Sequence, residues 1–193
     1  MASVTLHKTL PGFMSPAVGF EAPFDILEAC HERVERMLVL LQRLCQHVQD
    51  TGCDEQARQA ARDVMRYFDM AAPLHHQDEE LHVFPAVRCG PYPGAAEAVH
   101  RLLAQHRQME IGWAGMREVL LTLIAFDAQE GGTFNGLRSA EVDAFVQAYR
   151  SHIRLEEDLV YPAAQRQLNE SQLRAMGEEM MVRRGVVRIA KDQ

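Results

Sequence analysis

The chain has 193 residues, 47% of them hydrophobic and 24% charged, enough for one domain with a substantial core and short for two. Its formal net charge of -7 and pI near 5.7 exclude a protein that holds nucleic acid through a basic face. No apolar run approaches the roughly 20 residues of a membrane helix, since the longest candidate, Val119 to Phe126, is interrupted by Thr122.

Residues 1–23 carry Pro11, Pro16 and Pro23 with Phe13, Met14 and Phe20, and read as an irregular arm packed on the domain. His7, Lys8, Pro11 and Gly12 replace the apolar stretch of a leader, which leaves the cytoplasm as the expected location. A first helix is expected from Phe24 to about Asp50, on the stripe Leu27, His31, Val34, Leu38, Leu41, Cys45, Val48, with Thr51-Gly52 as its stop. A second should run from about Asp54 to Arg88. In its stripe His75 and Glu79 replace apolar residues, Pro73 should kink it, and Pro85 should disturb its last turn. Gly90 to Gly94 breaks the chain.

A third helix is expected from Ala95 to Asp127, with His106 interrupting the stripe that includes Leu102, Met109, Trp113 and Leu120. Ala128 to Asn135 reads as a loop, and Ser139 as the N-cap of a fourth helix carrying Phe145, Tyr149, His152, Glu156 and Val160. Asn169-Glu170-Ser171 should cap a short, methionine-rich fifth helix ending at Arg183-Arg184-Gly185. The expected fold is therefore all-α: an antiparallel up-down-up-down four-helix bundle over 24–168, with an arm at 1–23 and a C-terminal helix and tail at 169–193. The four cysteines, Cys30, Cys45, Cys53 and Cys89, form no Cys-x-x-Cys pair and read as free buried thiols, with Cys30 beside His31 as a candidate redox group.

The chemistry lies in a repeat. His75-x-x-x-Glu79-Glu80 and His152-x-x-x-Glu156-Glu157 are each followed, after three residues, by an aromatic and a proline: Phe84-Pro85 and Tyr161-Pro162. Residues four apart share one face of a helix, so each imidazole and carboxylate can reach the same ion. His31 precedes His75 by 44 residues and His106 precedes His152 by 46, so each half is a helix with one histidine followed by a helix with His-x-x-x-Glu. That spacing predicts a pseudo-two-fold site. Glu79 and Glu156 continue apolar stripes, and burying bare carboxylates costs several kcal/mol each unless cations neutralise them. Glu80 and Glu157 are expected to face water.

Four imidazoles and two carboxylates without a thiolate suit iron, manganese or zinc; calcium and magnesium would need more oxygens. Two bridging carboxylates imply two ions about 3.5–4 Å apart, with positions left for water, hydroxide or a diatomic gas. His76 with Glu80 is an alternative to His75 with Glu79, which alignment of the two repeats disfavours. Glu35 and Glu110 lie four residues after His31 and His106 and are expected beyond the ligands or in solvent. His82 and His100 read as surface or helix-end residues, Trp113 as core, and Tyr149 as core within reach of a bound ligand. Ferritin-like bundles use Glu-x-x-His, the reverse order at a different spacing.

On these motifs, over about residues 24 to 165, the chain resembles the hemerythrin-like (HHE cation-binding) family. The resemblance implies a four-helix bundle around two non-haem iron ions bridged by an oxo or hydroxo group. Carried over by position, the metal ligands are His31, His75, Glu79, His106, His152 and Glu156. The oxygen-carrying members have two histidines four apart on the third helix, where this chain has Leu102 and Glu110 around His106. The ligand set is closer to that of the di-iron repair-of-iron-centres proteins, whose N-terminal cysteine-containing domain has no counterpart here.

The leading expectation is a di-iron protein that binds or senses O2, NO or redox state, or handles iron itself. A di-iron oxidase or peroxidase, and a bundle held together by metal for an unnamed protein partner, are the alternatives. No membrane and no nucleic acid are expected among its partners.

Overall fold

A computed structural model describes residues 19–127 and 132–186. Residues 1–18, 128–131 and 187–193, with most of the arm and part of the loop after the third long helix, lie outside them.

Among the described residues every regular element is helical. Helix α1, Pro23–Thr51, starts with proline at its first position, where the missing N–H belongs to no helical bond, and stops at Gly52, whose φ of 94° is a left-handed setting. Helix α2, Glu55–Asp78, is capped by the Asp54 carboxylate, which accepts from the Ala57 N–H. A π-helical segment, Glu79–Val83, then leads into α3, Phe84–Arg88. Helix α4 is Pro93–Ala125 and α5 is Ser139–Leu155; a second π segment, Glu156–Val160, leads into α6, Tyr161–Gln165. Helix α7, Glu170–Arg183, opens with a capping box in which Asn169 and Gln172 satisfy each other's backbone N–H groups.

Two expectations are corrected. Pro85 neither tightens nor weakens an α-turn: the Phe84 N–H bonds to the Glu79 carbonyl five residues back, and Tyr161 does the same to Glu156. Proline supplies no N–H and its ring crowds the carbonyl four residues earlier, and the wider π turn accommodates both. Ser139 is not an N-cap but the first residue of α5; its hydroxyl is engaged by Gln49 from α1.

Helix α1 packs on α2 and α5, and α4 packs on the same two, closing a helical bundle. The apolar interior is divided. The larger cluster includes Leu38, Leu41, Val64, Phe68, Leu120 and Val146; the smaller includes Leu27, Phe84, Leu102, Val160 and Tyr161. Along α1 and α4 the chain passes from the smaller cluster to the larger, and along α2 and α5 from the larger to the smaller. In each of the four helices the crossing point carries the buried histidine or the His-x-x-x-Glu motif. A polar layer is thus sealed on both sides by hydrocarbon.

Helix α7 closes the smaller cluster with Met176 and Met180 and packs on α1 and α2. Asp78, fully buried, accepts from Arg183 Nε at 2.8 Å and Arg184 Nη2 at 2.6 Å. Gly177 faces the backbone of Phe20, and a Cβ there would stand 1.8 Å from the Phe20 carbonyl oxygen. Among the described residues no helix is long and apolar enough to cross a membrane.

Candidate metal centre

The polar layer gathers all six expected residues. His31, His75, His106 and His152 are buried, and Glu79 and Glu156 have no exposed surface. The two carboxylates are shared between two pairs of imidazoles. Glu79 Oε1 lies 3.4 Å from His75 Nε2, while Oε2 lies 3.4 Å from His106 Nε2. Glu156 Oε1 lies 2.9 Å from His152 Nε2, while Oε2 lies 3.2 Å from His31 Nε2. One oxygen of each acid therefore serves the pair His31 and His75, and the other serves the pair His106 and His152. The ring centroids are 4.8 Å apart within each pair, which is the expected pseudo-two-fold.

The single histidines are oriented from outside, and the halves cross in doing so. Glu157, on the α5 side, bonds His31 Nδ1 at 2.9 Å; Glu80, on the α2 side, bonds His106 Nδ1 at 2.7 Å. Both acids are 44% exposed, so the expectation that they face water describes only half of each side chain. Gln105 bonds His152 Nδ1 at 3.1 Å. Partners on Nδ1 fix the ring and leave Nε2 aimed into the layer, as ligand histidines require. The π turns beginning at Glu79 and Glu156 bring the acid of each motif inward while its neighbour reaches the opposing histidine.

Residues outside the six sort clearly. Glu35 pairs with Arg150 Nε at 3.0 and 3.1 Å, Glu110 is exposed, His100 is exposed, and His82 meets Arg183 and Glu179 at the α7 contact. Trp113 is only partly buried and donates to Asp69 at 2.9 Å. Cys30, Cys45 and Cys53 are buried as expected, but Cys89 is exposed. Burial pushes the Cys30 thiol up, away from a reactive thiolate.

The tyrosine at the site is Tyr161, not Tyr149. Tyr149 packs on Phe68 and Phe145 in the larger cluster. The Tyr161 hydroxyl donates to Glu79 Oε1 at 2.5 Å and stands 3.2 Å from His31 Nε2, its ring stacked on His31. Its place in the repeat, opposite Phe84, was the available signal: the two aromatics align, and only one carries a hydroxyl. Sequence reasoning also set His75 and His76 against each other, whereas both are buried at the layer.

The electrostatics describe a pocket that needs positive charge. Burial opposes protonation of His31, but the nearby carboxylates of Glu156 and Glu157 prevail and raise it to about 10; His106 rises to about 10 against the same burial through Glu156 and Glu79. Burial raises Glu79, and the charge of Glu156 raises it further. Glu156 is held well below its ordinary value despite burial, by His152, His106 and His31. Burial keeps Tyr161 a phenol, reinforced by the charges of Glu79 and Glu156.

A pair of cations fits this donor set. Glu79 Oε2 and both oxygens of Glu156 are buried with no hydrogen-bond partner, although imidazole nitrogens stand close by. Short approaches between nitrogen lone pairs and carboxylate oxygens, without the alignment of a hydrogen bond, are what ligands around an ion present. Two groups of four, His31, His75, Glu79, Glu156 and Glu79, His106, His152, Glu156, each bring four ligand atoms within 4.8 Å of one another. A cleft of about 400 Å³, lined by His31, Glu35, Arg150, Arg154 and Glu157, opens beside the first group. The larger groove, about 580 Å³ between α4 and α5, touches the layer only through Gln105.

Comparison with known proteins gives a family match over most of the chain. The hemerythrin HHE cation binding domain matches residues 22–164. An uncharacterized protein of Haemophilus influenzae is 30% identical over 164 residues, covering 85% of this chain and 91% of its own.

Proposed function

The chain belongs to the hemerythrin HHE cation-binding family, and from that premise we propose that it is an up-down-up-down, antiparallel four-helix bundle that holds two non-haem iron ions and binds a small diatomic ligand, O2 or NO. The observation that carries this reading is the division of Glu79 and Glu156, one oxygen of each to either imidazole pair. A carboxylate can bridge two ions in that way, and a single ion would leave half of the oxygens unsatisfied. His31, His75, His106 and His152 would complete the ligands.

Iron bound there would supply reversible coordination and one-electron chemistry toward the gas. The protein's own contribution is threefold. The two apolar clusters bound the layer with hydrocarbon along the bundle axis. Glu157, Glu80 and Gln105 hold three of the imidazoles in one orientation. Tyr161 keeps its proton and donates a hydrogen bond to Glu79 Oε1, which orients that carboxylate beside His31.

Anaerobic loading with ferrous iron should give two ions per chain. Exposure to air should then produce oxo-to-iron charge-transfer absorption, and nitric oxide a distinct visible band. Full iron occupancy with a colourless protein under both gases would overturn the reading. Tyr161 favours a second reading, a di-iron oxidase or peroxidase, because a phenol in contact with the layer could pass an electron. Peroxide consumption with an added reductant separates the two, since a carrier or sensor turns over no faster than free iron.

A further inference from the structure

The two halves of the layer are unequal. Aligned as His75 with His152, the repeats place His76 opposite Ile153. His76 is 7% exposed and lies face to face with His106, ring centroids 3.9 Å apart and planes within 12°. Its ring also meets that of His152 at 6.0 Å. Ligand nitrogens of His76, His106 and His152 come within 4.8 Å of one another, all three residues buried. Ile153, its counterpart, is partly buried at the edge of the cleft and offers no donor to the other pair. The second asymmetry is Tyr161 against Phe84: the hydroxyl lies on the His31 side, while Phe84 stacks on His106.

A third imidazole in a layer sealed by hydrocarbon calls for a chemical reason. An uncharged histidine stacked on another one gains little that an isoleucine would not give, and the protein uses isoleucine at the matched position. Neutral imidazole is, however, a good ligand for iron or zinc.

We propose that His76 is a metal ligand, the third imidazole of the ion between His106 and His152, so that the two ions have different ligand sets. The proposal rests on the two-ion reading given above. It assigns three imidazoles to one ion and two, His31 and His75, to the other, with Glu79 and Glu156 common to both. The ion at His106 and His152 is accordingly the tighter one and the slower to leave.

The test uses the full chain loaded anaerobically with 57Fe(II). Mössbauer spectra and the rate of release to a chelator are recorded for the native protein, His76→Ile and His76→Gln. The first substitution copies the matched residue of the other repeat; the second keeps a polar side chain and serves if the first does not fold, with melting of the metal-free proteins as the check on folding. The native protein should show two quadrupole doublets and two release phases. In the variants one doublet should move while the other stays, and the slow phase should quicken by about tenfold or more, the scale on which lost support at a metal site is felt. Unchanged spectra and release rates would overturn the proposal and leave His76 a stacked wall. Equal quickening of both phases would overturn it too, as a loss of packing. A native chain that takes up fewer than two ions would sink the two-ion reading itself, a result separable from either of these.

Discussion

A carboxylate with no exposed surface needs a proton or a cation, and Glu79 and Glu156 divide that choice between them. Without metal, Glu79 is pushed toward the protonated acid by burial, while Glu156 stays ionised among His152, His106 and His31. His31 and His106, raised from 6.5 to about 10, hold protons in the folded protein that the unfolded chain has lost. Their contribution to stability is complete below pH 6.5 and is lost as pH rises to about 10. His75 and His76 are shifted down by burial and by neighbouring histidines, so their contribution is present above 6.5 and is lost as pH falls below it. Glu79, raised, begins to lose its contribution as pH rises above 4.5, and Glu156, lowered, loses its own only as pH falls below 4.5, so the turning point near neutrality belongs to the histidines. The melting temperature of the metal-free protein should therefore pass through a maximum near pH 6.5, measured by calorimetry across pH 5 to 10. A melting temperature that still climbs between pH 7 and 9 would contradict this account of the layer.

At the scale of elements, the π segments and α7 matter most. Each π turn adds a residue to the helix just where a proline forbids the ordinary bond, and so separates the directions of the two adjacent glutamates. One acid enters the layer; the next crosses to the histidine of the other half. Helix α7 is tied down next to this device, because its arginines meet Asp78, the residue before Glu79. It also meets the chain at Gly177, where the obstacle to a Cβ is the Phe20 backbone and not a movable side chain. Gly177→Ala should cost about 1–3 kcal/mol, the usual range for overpacking, and thermal melting reads it directly. A variant as stable as the native protein would mean that α7 does not seat on Phe20.

For the molecule as a whole, the layer joins four helices, and ions placed there would crosslink α1, α2, α4 and α5 at once. Ligands that bind only the folded state stabilise it by RT ln(1 + [L]/Kd), about 4 kcal/mol at a thousandfold excess over Kd. For a domain of this size that corresponds to roughly 10 °C. Removal of metal by a chelator should lower the melting temperature by about that amount, and restoring ferrous iron should return it. Equal melting with and without metal would detach the ions from the fold.

Much of this was legible in the sequence because helices have a short period. The stripes of α1, α2, α4 and α5, the histidine or His-x-x-x-Glu replacing apolar residues in each, and the repeat of one half in the other are relations within a few turns or between two alignable strings. They determined the all-helical class, the six candidate ligands and the demand for positive charge. What the tertiary structure decided depends on which side chains meet across elements. Period alone could not tell that Glu80 and Glu157 cross to the opposing histidines, that Tyr161 rather than Tyr149 reaches the layer, or that Glu35 turns away to Arg150. Nor could it tell that His76 lies buried beside His106 while His75 pairs with His31. A π turn changes the direction of every side chain after it, and that rotation is set by proline sterics and packing together, which no single-helix pattern contains.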